Sequence, residues 1–267
     1  MDNFDSKLSG YKKKQVIGVM LLAFILIISA MTTPARCQTL TAEQIVKKAD
    51  DLLHGKSSIA EMTMTVVKPD WSRTISMKAW MLEPEFALIL ITAPAKDKGT
   101  ATLKRGNEIW NWIPSIERVI KIPPSMMMQP WMGSDFTNDD LVRESSIVKD
   151  YNHSLLGEEK ISDYDCYKVQ LLPKPEAGVV WAKVLMWISK SDFLELRVEY
   201  YDENGTMVKY MLGSDVKDLG GRKIPAHWEM VPSDKPGEKT ILNYDSLEFN
   251  VEINPAFFSE QNMKRVR

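Results

Sequence analysis

The sequence predicts a mainly β protein organised as an antiparallel meander. Three observations carry that expectation. Apolar residues recur at period two through most of the chain, the spacing of half-buried strands. The dipeptide Asn204-Gly205, set between two such segments, is the strongest hairpin signal present. Only the segment beginning near Thr41 has the spacing of an amphipathic helix of ordinary length.

The N-terminus is read separately from the fold. Lys12, Lys13 and Lys14 precede an apolar run over 16–31, which is followed by Thr32, Thr33, Pro34 and Ala35. A basic start, a short apolar stretch and small exit residues describe a secretory signal peptide over 1–35, with cleavage near Ala35. The run is shorter than the roughly 20 residues of a membrane-spanning helix. Pro34-Ala35-Arg36 is the wrong approach to Cys37 for a lipobox. Removing 1–35 takes away four lysines and two aspartates and moves the formal charge from −2 to −4. No Lys/Arg stripe remains that would suggest nucleic acid. Residues 36–267 then form one domain, large for a single unit but acceptable for a barrel or sandwich.

The elements follow in order. Thr41 reads as an N-cap with Glu43 and Gln44 in the first turn, and Gly55 as the stop, which predicts a helix over 41–54. Segments 59–67 and 73–82 alternate around a Pro69-Asp70 turn, with Met62, Met64 and Val66 sharing a face on the first. Ile75, Met77, Ala79 and Met81 share a face on the second. Further strands are expected over 86–92, 99–105, 107–113 and 117–122. A second series is expected over 152–158, 164–172, 180–189, 193–201, 206–213, 222–231 and 239–248. Few helices interrupt them, so the topology is a meander rather than a βαβ fold. The stretch 179–188 is apolar on both faces, as a strand covered on both sides would be.

Little in the chain reads as chemistry. His54, His153 and His227 are scattered without metal-ligand spacing. No nucleophile elbow and no phosphate-cradling glycine loop is present. Cys166 lies in an expected strand, and its only possible disulfide partner, Cys37, lies in the tail. Asp135, Asp139 and Asp140 lie close in sequence but lack the spacing of a calcium loop, and helix capping accounts for them more simply. No enzyme, cofactor or metal is therefore expected.

Residues 125–141, SMMMQPWMGSDFTNDDL, are the exception to the β pattern. Thioethers of Met126, Met127, Met128 and Met132 could in principle hold Cu(I), but consecutive side chains diverge and no histidine is near in sequence. Methionine also suits apolar surfaces that accommodate variable partners.

The residues carry a resemblance as well. Lys98-Gly99, EIWNWIPS over 108–115, Arg118-Val119-Ile120-Lys121, Met132-Gly133-Ser134-Asp135-Phe136 and Asp139-Asp140-Leu141 form its central block. Ile224-Pro225, Trp228-Glu229-Met230, Thr240 and Phe257-Phe258-Ser259 continue it towards the C-terminus. From about residue 40 to 260 the chain resembles the LolA-like family of outer-membrane lipoprotein-sorting proteins. The resemblance implies a periplasmic, strongly curved antiparallel sheet, an unclosed barrel with a few helices plugging its concave side. It implies a hollow that shields acyl chains of lipoprotein or lipid cargo, an inner-membrane transporter as donor and an outer-membrane acceptor. Under that reading Met62, Met64, Met77, Met81, Trp112, Met126, Met127, Met128, Trp131, Met132 and Phe136 are candidate lipid-binding residues of cavity or lid. Stretch 125–141 becomes a lid hinge leading into a short helix capped by Thr137 or Asn138. The classical carrier's lid-locking arginine has no single counterpart, since Arg105, Arg118 and Arg143 all qualify. A lipid-sensing or transporter-associated domain on the same fold is the alternative, and a copper-handling protein is a further one.

Overall fold

The computed structural model describes residues 40–143 and 147–266. The expected signal peptide, its cleavage point and Cys37 lie outside the described residues. Helix α1 (Ala42–Leu53) begins as anticipated. Thr41 Oγ1 accepts from the Gln44 N–H at 3.2 Å while Gln44 Oε1 accepts from the Thr41 N–H at 3.0 Å, a complete capping box. At the other end Arg222 Nη1 donates to the Asp51 and Leu52 carbonyls at 2.7 and 2.9 Å, satisfying acceptors the helix leaves open.

Six strands follow: β1 (Ser57–Lys68), β2 (Trp71–Leu82), β3 (Phe86–Ala93), β4 (Ala101–Arg105), β5 (Glu108–Ile113) and β6 (Arg118–Lys121). After the short helix α2 (Asn138–Arg143) come β7 (Tyr151–Ile161), β8 (Tyr164–Pro173), β9 (Lys183–Ser189) and β10 (Glu195–Tyr201). Strands β11 (Met207–Leu219), β12 (Arg222–Pro232) and β13 (Lys239–Phe249) precede the terminal helix α3 (Glu260–Met263).

All thirteen strands form one antiparallel sheet in the order β6-β5-β4-β3-β2-β1-β13-β12-β11-β10-β9-β8-β7. Two meanders, β1–β6 and β7–β13, are thus zipped together where β1 pairs with β13. The sheet is curved but not closed, because β6 and β7 are its two edges. The chain between them, residues 122–150, has to travel from one edge to the other.

The period-two pattern decides which side each residue serves. On the concave face Met62, Met64, Val66, Ile75, Met77 and Ile91 form a core with Trp131 from the edge-to-edge connection. Beside it Ile45, Val46 and Ala49 of α1 pack on Val169, Leu171, Val184, Met186, Ile188 and Val198 of β8–β10. On the opposite face Trp80, Leu88, Leu90, Ala101 and Leu103 are covered by Phe258 and Met263 from the C-terminal segment. Phe258 stacks on Phe86 at 5.3 Å between centroids, and Phe257 meets Trp80 at 5.5 Å.

Three strands depart from expectation by three residues or more at one end, β7 by running on from 158 to Ile161. β11 continues six residues past 213 to the Gly220-Gly221 turn, paired with β12 along its length. Its extension, SDVKDL, contains only two apolar residues, so the ladder rather than core burial holds it. β9 begins at Lys183, and residues 179–182 have no strand pairing. The expected coverage of both faces of β9 does hold. Val184, Met186 and Ile188 belong to the helix side, and Leu185 and Trp187 to a second cluster with Cys166, Leu194 and Leu196.

Candidate functional site

Between the concave face, α1 and the edge-to-edge connection lies a cavity of about 190 Å³. That exceeds the roughly 150 Å³ at which an apolar protein cavity takes up benzene. Strands from both meanders line it: Met62, Met64, Met77, Met81 and Ile89 from one, Val184, Met186, Tyr200, Met211, Met230, Leu242 and Tyr244 from the other. Val46 and Leu53 come from α1, and Trp131, Phe136, Leu141 and Ile147 from the connection. Seven of the lining side chains are methionines. Because one cavity touches β2–β4 and β9–β11 together, the sheet has to wrap around it.

The connection is built as a series of anchors. Pro130 and Thr137 bridge across a tight reversal, with the Trp131 N–H donating to the Phe136 carbonyl at 2.7 Å. Met132 and Gly133 make the reversal at φ +52° and +75°, so Trp131 and Phe136 both reach the cavity. The left-handed backbone at Met132 costs on the order of 1 kcal/mol in a non-glycine residue. Arg73 Nη2 donates to its carbonyl at 3.0 Å and holds it there. Trp131 is buried, and its Nε1–H donates to Thr102 Oγ1 on β4 at 3.1 Å.

Two carboxylates fasten the rest. Asp135 accepts from Lys68 Nζ at 3.0 Å and from Thr240 Oγ1 at 2.7 Å, bridging both sides of the β1·β13 seam. Burial pulls the Lys68 ammonium down, but hydrogen bonds to Glu238 and Asp135 outweigh it and hold the pKa above its ordinary value. Asp140 closes a capping box with Thr137, the residue that caps α2, through contacts of 2.7 and 3.1 Å. Its carboxylate also meets Lys209 Nζ at 2.5 Å. That ammonium is 5% exposed and lies 5.0 Å from the Trp181 ring centre and 5.3 Å from that of Tyr200. Among the described side chains Arg73, Lys68 and Lys209 fix the connection, and the side chain of Arg143 lies outside them. Arg105 and Arg118 are exposed, on β4 and β6.

The sequence-derived candidates separate into two groups. Met62, Met64, Met77, Met81, Trp131 and Phe136 line the cavity. Trp112, Met126, Met127, Met128 and Met132 do not. Trp112 lies opposite Ala101 in the β4·β5 register, on the side of Leu103 and Phe258, because alternation sends Asn111 and not Trp112 to the concave face. Met126 and Met127 pack on Ile109 and Ile122, Met128 is 45% exposed, and Met132 packs beside the core without reaching the cavity.

Trp181, Tyr200, Met211 and Met230 line the cavity without having been singled out as ligand contacts. Trp181 was legible in part: Pro173, Pro175 and Gly178 argue against a continuous strand, and the freed backbone turns Val179, Val180 and Trp181 into the cavity. The three histidines occupy unrelated settings. His54 Nδ1 is 3.1 Å from Asp50, His153 Nε2 is 3.0 Å from the Ile147 carbonyl, and His227 Nδ1 is 2.7 Å from Asn243. Among the described residues no three His, Cys, Asp or Glu side chains stand together as a metal site.

Comparison with known proteins bears on this architecture. Residues 84–265 match a family model described only as that of an "uncharacterized protein"-like family. A DUF1329 family protein from Desulfovibrio piger superposes with a TM-score of 0.76 at 24% identity, over 83% of this chain and 97% of that one. A putative outer membrane lipoprotein-sorting protein domain from Vibrio parahaemolyticus gives 0.74 at 24% identity, over 84% and 98%. A LolA superfamily protein from Nitrosomonas europaea gives 0.72 at 25% identity, over 84% and 99%. No curated protein matches the chain. The family match spans more than half of the chain, which therefore belongs to that family, and its half-open sheet is the fold it shares with the LolA superfamily protein and the lipoprotein-sorting protein domain.

Proposed function

We propose that the protein is a periplasmic carrier without catalytic activity, which shelters the acyl chains of lipoproteins or lipids in this cavity and delivers them towards the outer membrane. The observation that carries the reading is the cavity itself, apolar over most of its lining and rich in methionine. Each buried methylene is worth about 0.8 kcal/mol, so lifting an acyl chain from a bilayer requires comparable apolar cover at the destination. Methionine side chains are unbranched and polarisable, and they adapt to chains of different length and saturation. The N-terminal export signature supports a periplasmic location, with a membrane transporter as donor and an outer-membrane acceptor as partners. The LolA superfamily protein and the sorting-protein domain share the fold that this reading needs.

The test is native mass spectrometry of protein isolated from the periplasm of a Gram-negative host without detergent, with lipid extraction in parallel. The expected result is a mass consistent with cleavage near Ala35 together with a releasable acylated species. Bare protein that also takes up no lipid from vesicles would remove the carrier reading.

A further inference from the structure

The concave side of the sheet is largely filled by the chain itself. Ile45, Val46 and Ala49 of α1 occupy it over β8–β10, and Trp131 of the connection occupies it over β1–β3. What remains between them is the cavity of about 190 Å³. An apolar cavity of about 150 Å³ takes up benzene, so this one has room for about eight carbons. Turning a methionine reshapes the wall but adds little room, because the core behind it is close-packed: Met64, Met77, Met186 and Met230 are each at most 3% exposed. More room requires moving the connection. It is held at Thr102 through Trp131, at Lys68 and Thr240 through Asp135, and at Lys209 through Asp140.

From this volume we propose that the cargo is an amphiphile with a single unbranched tail, of which the cavity takes one stretch of about eight carbons, and that lipids with two or three tails are left in the membrane. The inference rests on the carrier reading and narrows its cargo class. A second tail would find no apolar cover, and every methylene left in water forfeits the gain of transfer.

The experiment titrates protein freed of lipid on a hydrophobic resin against hexanol, octanol, decanol and dodecanol by calorimetry, a series with one uncharged head group. Affinity is expected to rise about fourfold per methylene from hexanol to octanol and then to stay within about twofold as far as dodecanol. Met211→Ala, which removes bulk from the wall, moves that break to longer alkanols. In parallel the protein is mixed with dioleoylphosphatidylcholine vesicles carrying lysophosphatidylcholine and is recovered for native mass spectrometry, with the one-tailed lipid alone expected on it. A fourfold rise per methylene continuing to dodecanol, a break unmoved in folded Met211→Ala, or bound dioleoylphosphatidylcholine overturns the inference and leaves the carrier reading intact. Failure of every alkanol and both phospholipids to bind removes the two together.

Discussion

At the scale of single residues the connection depends on charges that are nearly out of water. Lys209 and Asp140 are 5% and 15% exposed at the side chain. Deleting one member of such a pair strands the other, which typically costs about 3 kcal/mol or more. Asp140→Ala is therefore expected to lose about that much in urea unfolding, part of it through the α2 cap. The double variant Asp140→Ala/Lys209→Met recovers a share of the loss, and strictly additive losses would show that the pair is not coupled.

His153 gives a pH-dependent prediction at the same scale. Burial is the largest influence on it and pulls its pKa below the ordinary value, against the Ile147 carbonyl and Glu43, with Lys174 lowering it further. The unfolded chain titrates this group near pH 6.5, so it binds the proton before the folded chain does. Its contribution to stability is present above about pH 6.5 and is lost as pH falls through the folded value. The difference in stability between wild type and His153→Gln is expected to shift against the wild type on acidification, and a pH-independent difference would contradict this.

At the scale of elements, close backbone approach decides where change is tolerated. In the β11–β12 turn Gly220 and Gly221 have φ of +60° and +77°. A Cβ on Gly220 would stand 2.6 Å from the Leu247 carbonyl oxygen, whereas one on Gly221 meets nothing within 4 Å. Gly221→Ala should cost only the left-handed strain, about 1 kcal/mol. Gly220→Ala has to displace β13 as well and should cost about 2–3 kcal/mol more, read as a drop in melting temperature. Helix α1 shows the same dependence on distant partners, since Arg222 from β12 completes its C-terminus and also lies 3.8 Å over the Phe249 ring centre.

At the scale of the whole molecule the β6–β7 gap and the connection spanning it are what make a cavity possible. Filling the hollow separates capacity from stability. Met211→Trp places bulk at a half-buried lining position. Displacing about two methylenes of cargo corresponds to a roughly tenfold loss of acyl-ligand affinity. The melting temperature should hold or rise, because empty volume is replaced by contacts. Unchanged affinity in a folded variant would place the ligand elsewhere.

The sequence by itself determined the elements whose cause is local: the capping box that starts α1, the Asn204-Gly205 turn, and the alternation that sorts Met62, Met64 and Met77 from their neighbours. These follow from hydrogen bonds and side-chain directions within a few residues. Its motifs also carried the resemblance to the LolA-like fold. What only the tertiary structure decided is long-range. The pairing of β1 with β13, the closing of Asp135 on Lys68 and Thr240, and the meeting of Met211 and Met230 with Met62 all join residues more than 60 positions apart. The consecutive methionines at 126–128 show the difference. Their apolar character was plain from composition, but the wall each one faces was set by the path of the connection across the sheet. That path is a compromise among distant anchors, which no local spacing encodes.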